Sequence, residues 1–191
     1  MNNKSKFFSI LLLVLVLSCA KNPFTGKRTI ALVPNSQIFP SSFQQYNQFL
    51  SENKVITGTA DANRIETIGM KIKTASERWL NANGHSEYLQ GYEWEYKLVA
   101  SKEVNAWCMP GGKIVFYSGI LPICKDDPGI AAVMGHEVAH ALANHGQQRM
   151  SAGLLQQLGA VGTQVAVGNK DPQTQALIMQ AYGVGSQVGG I

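Results

Sequence analysis

Apolar residues recur along this chain with two different periods, and the change of period marks its parts. From Ser36 to Asn53, Phe43, Tyr46, Phe49 and Leu50 fall on one face at helical spacing, which predicts a helix interrupted early by Pro40. A second helix is predicted from Asp61, as N-cap, to about Leu80, with Ile65, Ile68, Ile72 and Ala75 as its apolar stripe; Asn81 to Gly84 ends it. The period then drops to two. Tyr92-Glu93-Trp94-Glu95-Tyr96-Lys97-Leu98 alternates large apolar with charged residues, the pattern of a half-buried strand. Val104 to Cys108 and Lys113 to Tyr117 are two further strand candidates, joined by the turn chemistry of Met109-Pro110-Gly111-Gly112. From Gly119 onward the pattern is helical again. Helices, a small sheet, then helices predict an α+β domain rather than alternating βαβ units.

The N-terminus breaks this pattern. Lys4 and Lys6 precede an apolar run from Phe7 to Leu17, too short to span a bilayer but suited to the apolar core of a secretory signal. Ser18-Cys19 closes the run and resembles a bacterial lipobox, in which the signal is cut before the Cys and that Cys is lipidated. The plainer reading is an ordinary signal cleaved nearby, with Cys19 incidental. Three parts follow: a lipoprotein signal at 1–18, a lipidated tether at 19–34 containing the turn former Asn22-Pro23-Phe24-Thr25-Gly26, and one domain at 35–191.

Charge narrows the function. Removing 1–18 takes away Lys4 and Lys6, so the formal charge falls from +4 to +2. No basic stripe or Lys/Arg cluster stands out, and nucleic acid is not expected as a partner. Cys108 and Cys124 are the remaining cysteines; they can pair in an oxidising compartment or remain two buried thiols.

The chemistry lies in His136-Glu137-Val138-Ala139-His140. Asp127 as N-cap with Pro128 behind it predicts a helix running to about Asn144 or His145, stopped by Gly146. A spacing of four places His136 and His140 on one face, so both imidazoles can reach a single metal ion. Zinc suits neutral imidazoles, and Glu137 beside a ligand can move the proton of a water during hydrolysis. The competing reading, two surface histidines on an amphipathic helix, leaves the well-capped apolar setting unexplained. His145 fits poorly as a third ligand, since a continuing helix turns it roughly 140° from His140. A supporting role behind the ligands, or at the helix C-terminus, suits it better. His85, in a loop after Gly84, reads as solvated.

His136 to His145 resembles the active-site segment of the gluzincin zinc metalloproteases of the HtpX and CAAX prenyl endopeptidase type. Three more segments resemble their outer-membrane lipoprotein (BepA/LoiP-like) branch: Asn22 to Gly26, Val104 to Trp107, and Pro110 to Ile114 with Ser118 to Leu121. The resemblance implies a zincin-like metallopeptidase domain with one Zn2+ held by His136 and His140, and Glu137 as catalytic residue. It implies that Asn105, Ala106 and Trp107 form an edge strand that pairs with extended substrate, giving broad specificity by β-augmentation; an ordinary core strand is the alternative there. It further implies lipid anchoring through Cys19 at the periplasmic face of the outer membrane, and misfolded or unassembled envelope proteins as substrates.

In one respect the chain departs from that pattern. The family takes its third zinc ligand from a Glu on a downstream helix, whereas Glu137 is the last Glu here and Asp171 the only later carboxylate side chain. The domain is therefore expected to be incomplete at its C-terminus, to bind zinc weakly through two histidines, and to leave apolar surface uncovered between Ala152 and Val167. Two other readings remain: a non-catalytic lipoprotein that binds unfolded clients through the same cleft, and a deformylase-like hydrolase with Cys108 as third ligand.

Overall fold

A computed structural model describes residues 19–188; the signal expected at 1–18 lies outside the described residues. The architecture is α+β, with six helices and a small mixed sheet among the described residues. The chain divides into two compact units, one ending at Gln147 and the other starting at Gln148.

In the first unit, a hairpin of β1 (Cys19–Lys21) and β2 (Arg28–Ile30) precedes α1 (Asn35–Glu52), β3 (Val55–Ile56) and α2 (Ala60–Ala82). Next come β4 (Glu95–Val99), β5 (Ala106–Met109), β6 (Lys113–Tyr117), the one-turn α3 (Leu121–Cys124) and α4 (Asp127–Leu142). The four-stranded sheet has the order β3-β4-β6-β5, with β4 and β6 parallel and the other pairs antiparallel.

The sheet is covered on both faces. Strand alternation sends Leu98, Ala106, Ile114 and Phe116 to one face, where they pack with Ile65 and Ile68 of α2 and Ile130, Met134, Val138 and Leu142 of α4. Val99, Val115 and Trp107 go to the other face, against Tyr46 and Phe49 of α1. Lys113 is buried there, its ammonium 3.3 Å from both Glu93 and Glu95 and 4.7 Å from the centre of the Phe43 ring. Cys108 and Cys124 are both free thiols.

Several boundaries differ from the sequence expectation. Pro40 lies inside α1 without ending it; it removes one ladder bond, and the buried face of Ile38, Phe39, Ser42 and Tyr46 carries the helix through. Thr59, not Asp61, caps α2, its hydroxyl accepting from the Ala62 N–H at 3.2 Å, while Asp61 pairs with Arg64 at 3.0 Å. Tyr92 to Trp94 precede β4 instead of opening it. There Glu93 N–H donates to the Gly111 carbonyl (2.8 Å) and Glu95 N–H to that of Gly112 (3.0 Å). Gly111 and Gly112 have φ of +89° and +87°, a backbone that L side chains rarely adopt. Val104 lies exposed ahead of β5.

The second unit holds most of α5 (His145–Val167) and α6 (Pro172–Val188). Asp171 caps α6, accepting from Thr174 N–H at 3.0 Å and Thr174 Oγ1 at 2.7 Å, and these bonds hold its carboxyl below the usual range. Tyr182 donates to the Gln156 carbonyl at 2.6 Å, its ring against Gly159. On α5, Leu154, Leu158, Val161 and Val165 form an exposed apolar stripe, as expected between Ala152 and Val167.

Candidate metal centre

Helix α4 starts one residue earlier than predicted. Asp126 is the N-cap, its carboxylate accepting from Gly129 N–H at 2.9 Å, which frees Asp127 to meet Arg64 at 2.8 Å. One face of α4 then buries Ile130, Met134 and Val138 under the sheet, which turns the opposite side, with His136 and His140, outward.

The two histidines converge. Their Nε2 atoms are 3.0 Å apart, with ring centroids at 4.6 Å. Two nitrogens on a tetrahedral zinc, each about 2.0–2.1 Å away, are separated by roughly 3.3 Å. The pair is therefore spaced to chelate one ion without rebuilding either rotamer. Among the described residues, no group of three His, Cys, Asp or Glu is placed to hold a metal, so these two form the whole of the candidate ligand set there. Asp171, the one later carboxylate, is occupied in capping α6.

The helix stops at Leu142, short of the expected end, because Asn144 takes the left-handed conformation at φ +56°. Gly146 is thus not the stop; it lies inside α5. This kink changes the place of His145. Its Nδ1 comes within 2.6 Å of His140 Nδ1, with ring centroids 4.8 Å apart, so it lies behind the imidazole whose Nε2 faces His136. The sequence arithmetic assumed a continuous helix, and one left-handed residue removes that assumption.

Distant side chains hold the C-terminal end of α4. Asn22, buried in the tether turn, donates its Nδ2 to the Leu142 carbonyl (2.9 Å) and the Tyr88 hydroxyl (2.7 Å). Its Oδ1 accepts from the Phe24 and Thr25 N–H groups, both at 2.9 Å. Tyr88 also donates to Leu142 O at 2.6 Å, and Tyr92 to Ala141 O at 3.3 Å. Burial raises the Tyr88 phenol to about 12, against the lowering effect of the Asn22 bond, so it stays a neutral donor. Composition and periodicity gave no hint of this role for Asn22 beyond marking a turn.

Strand β5 packs against α4 and is outermost in its sheet among the described residues. Ala106 and Cys108 face the helix, while Trp107 faces α1, its ring 5.0 Å from that of Phe49 and its indole N–H 3.4 Å from Tyr117 Oη. The half-buried indole therefore packs on the α1 side of the sheet, on the opposite face from α4. Asn105 is exposed just before the strand, its carbonyl accepting from Tyr117 N–H at 3.1 Å. Burial pushes the Cys108 thiol up, helped by the nearby charge of Glu137.

Comparison with known proteins adds the last observation. The model of peptidase family M48 matches residues 70–188. The mitochondrial metalloendopeptidase OMA1 of Saccharomyces cerevisiae is 41% identical over 90 residues, covering 46% of this chain and 26% of that protein. Metalloprotease LoiP of Escherichia coli is 34% identical over 73 residues, covering 38% of this chain and 29% of its own. Human OMA1 is 24% identical over 141 residues, 74% of this chain and 26% of that protein. The chain spans about a quarter of the length of these relatives.

Proposed function

The chain belongs to peptidase family M48, and from that premise we propose that it is a zinc-dependent endopeptidase of the bacterial cell envelope. The observation that carries this reading is the pair of Nε2 atoms 3.0 Å apart on a helix whose intervening turn supplies Glu137. His136 and His140 are the residues that would hold the ion. Zinc bound there supplies Lewis acidity, lowering the pKa of water and polarising a peptide carbonyl. Glu137 takes the proton of the attacking water and returns it to the leaving amine. His145, against His140 Nδ1, fixes the ring so that Nε2 stays aimed at the ion. Along the segment Asn105, Ala106 and Trp107, the outer edge of β5, outermost in its sheet among the described residues, receives an extended polypeptide through the main-chain groups of Ala106, those of Asn105 and Trp107 being turned to β6, and this backbone pairing gives broad specificity. Substrates are then misfolded or unassembled envelope proteins, reached by a protein anchored through Cys19 at the periplasmic face of the outer membrane.

Glu137→Gln is the test. It removes the base and keeps both ligands, so zinc content should persist while casein hydrolysis falls roughly a hundredfold or more. Hydrolysis at the normal rate would remove Glu137 from the mechanism. The second reading, a non-catalytic lipoprotein that binds clients through the same cleft, draws on the two-membered ligand set among the described residues. Zinc-free protein that still holds unfolded clients and cleaves none would establish it.

A further inference from the structure

The turn that Asn22 builds ties the metal-binding helix to the start of the described chain. Its first strand, Cys19–Lys21, pairs with Arg28–Ile30, which sets Lys21 directly opposite Arg28, with Lys27 next in sequence. Like charges opposite each other on paired strands repel. All three cations are exposed, and no ion pair to any of them occurs among the described residues. The hairpin therefore concentrates positive charge on a domain whose mature net charge is only +2, that is +4 less Lys4 and Lys6.

Its position is fixed. Three Cα–Cα steps separate Cys19 from Asn22, at most about 11 Å of extended chain. The Asn22 amide is bonded to Leu142, two residues beyond His140, or about 3 Å along the helix axis. A lipid on Cys19 thus brings the His136–His140 pair to within roughly 20 Å of the headgroups, by the same reach of chain. We propose that the 19–30 hairpin is a docking surface for anionic lipid headgroups, and that Asn22 transmits this seating to the metal helix. The substrates are then polypeptide segments lying at the membrane surface rather than free in solution. The substrate class rests on the Cys19 anchor proposed above; the headgroup surface is tested without it.

The mature chain, residues 19–191 with Cys19→Ser, carries no acyl group. It is mixed with vesicles of phosphatidylethanolamine and phosphatidylglycerol, or of phosphatidylcholine alone, and sedimented. Binding is expected to the anionic vesicles only, and to weaken with salt. Replacing Lys21, Lys27 and Arg28 by Gln together should weaken it roughly a hundredfold, since each cation near such a surface counts for about fivefold. A control with Lys54, Lys102 and Lys125 replaced by Gln removes the same charge elsewhere and should bind nearly as before. Equal loss in the control, an unaffected hairpin variant, or equal binding to phosphatidylcholine overturns the proposal. The mass of the wild-type protein from membranes tests acylation separately. A non-acylated protein that still needs the hairpin for vesicle binding supports the headgroup surface and removes the anchor.

Discussion

The two ends of the helix that carries His136 and His140 are held by different means. At the N-terminal end the holding group is a neighbour: Asp126 caps Gly129, with Pro128 in the first turn. The cap is exposed, and the ion pair of Asp127 with Arg64 is exposed too, so it contributes little. At the C-terminal end the carbonyls of Ala141 and Leu142 are taken by Tyr92, Tyr88 and Asn22, which lie 49, 54 and 120 positions away. Asn22 and its bond to the Leu142 carbonyl are buried, so water is a poor replacement for that member. The end beside His140 is the one fixed by the tertiary structure. Placement of a ligand to a fraction of an ångström needs rigid partners, and a frayed helix end in water has none.

Asn22→Asp should break that contrast most severely. The aspartate keeps the two contacts to Phe24 and Thr25 N–H but loses both donors, and it buries a charge beside the Leu142 carbonyl. A loss of about 3–5 kcal/mol is expected in urea unfolding, as for other unpaired buried charges. An unchanged midpoint would show that the far end of α4 does not depend on the tether turn.

Gly129→Ala attacks the near end. Its Cβ would run into the backbone carbonyl of Cys124, and backbone cannot swing aside as a side chain can. About 2 kcal/mol of destabilisation is expected from such overpacking. Full stability in this variant would mean that the α3–α4 corner is looser than its geometry implies.

His145→Ala separates placement of the ligand from stability of the helix. Zinc affinity, measured by competition with a chromophoric chelator, should fall about tenfold or more, with the circular dichroism spectrum unchanged. Unaltered affinity would reduce the 2.6 Å contact with His140 to packing. Asp126→Ala should have the smallest effect. It removes an exposed cap, so about 1 kcal/mol of stability is lost, and zinc affinity stays as it was.

Much of the site was legible because it depends on short-range spacing. His136 and His140 share a face through helical pitch alone, and the apolar run around them indicates a buried helix. The strands from Glu95 to Val99 and Lys113 to Tyr117 were legible through alternation, and the turn at Gly111-Gly112 through glycine. The hairpin at 19–30 and the two-residue β3 were not. β3 is too short to show a period, and β1 falls in what reads as a tether.

The α+β class, the helix that carries His136, Glu137 and His140, its N-terminal cap to within one residue, and the common face of the two imidazoles were determined by the sequence alone. Each of these depends on residues within a turn or two of one another, where pitch and hydrogen-bond reach are fixed by covalent geometry. Only the tertiary structure decided that Asn144 ends the helix, that His145 turns back onto His140, and that Asn22 closes the helix from 120 residues away. The reason is that a left-handed residue or a long-range bond is favoured only once the surrounding core has formed. Neither leaves a periodic trace in the chain.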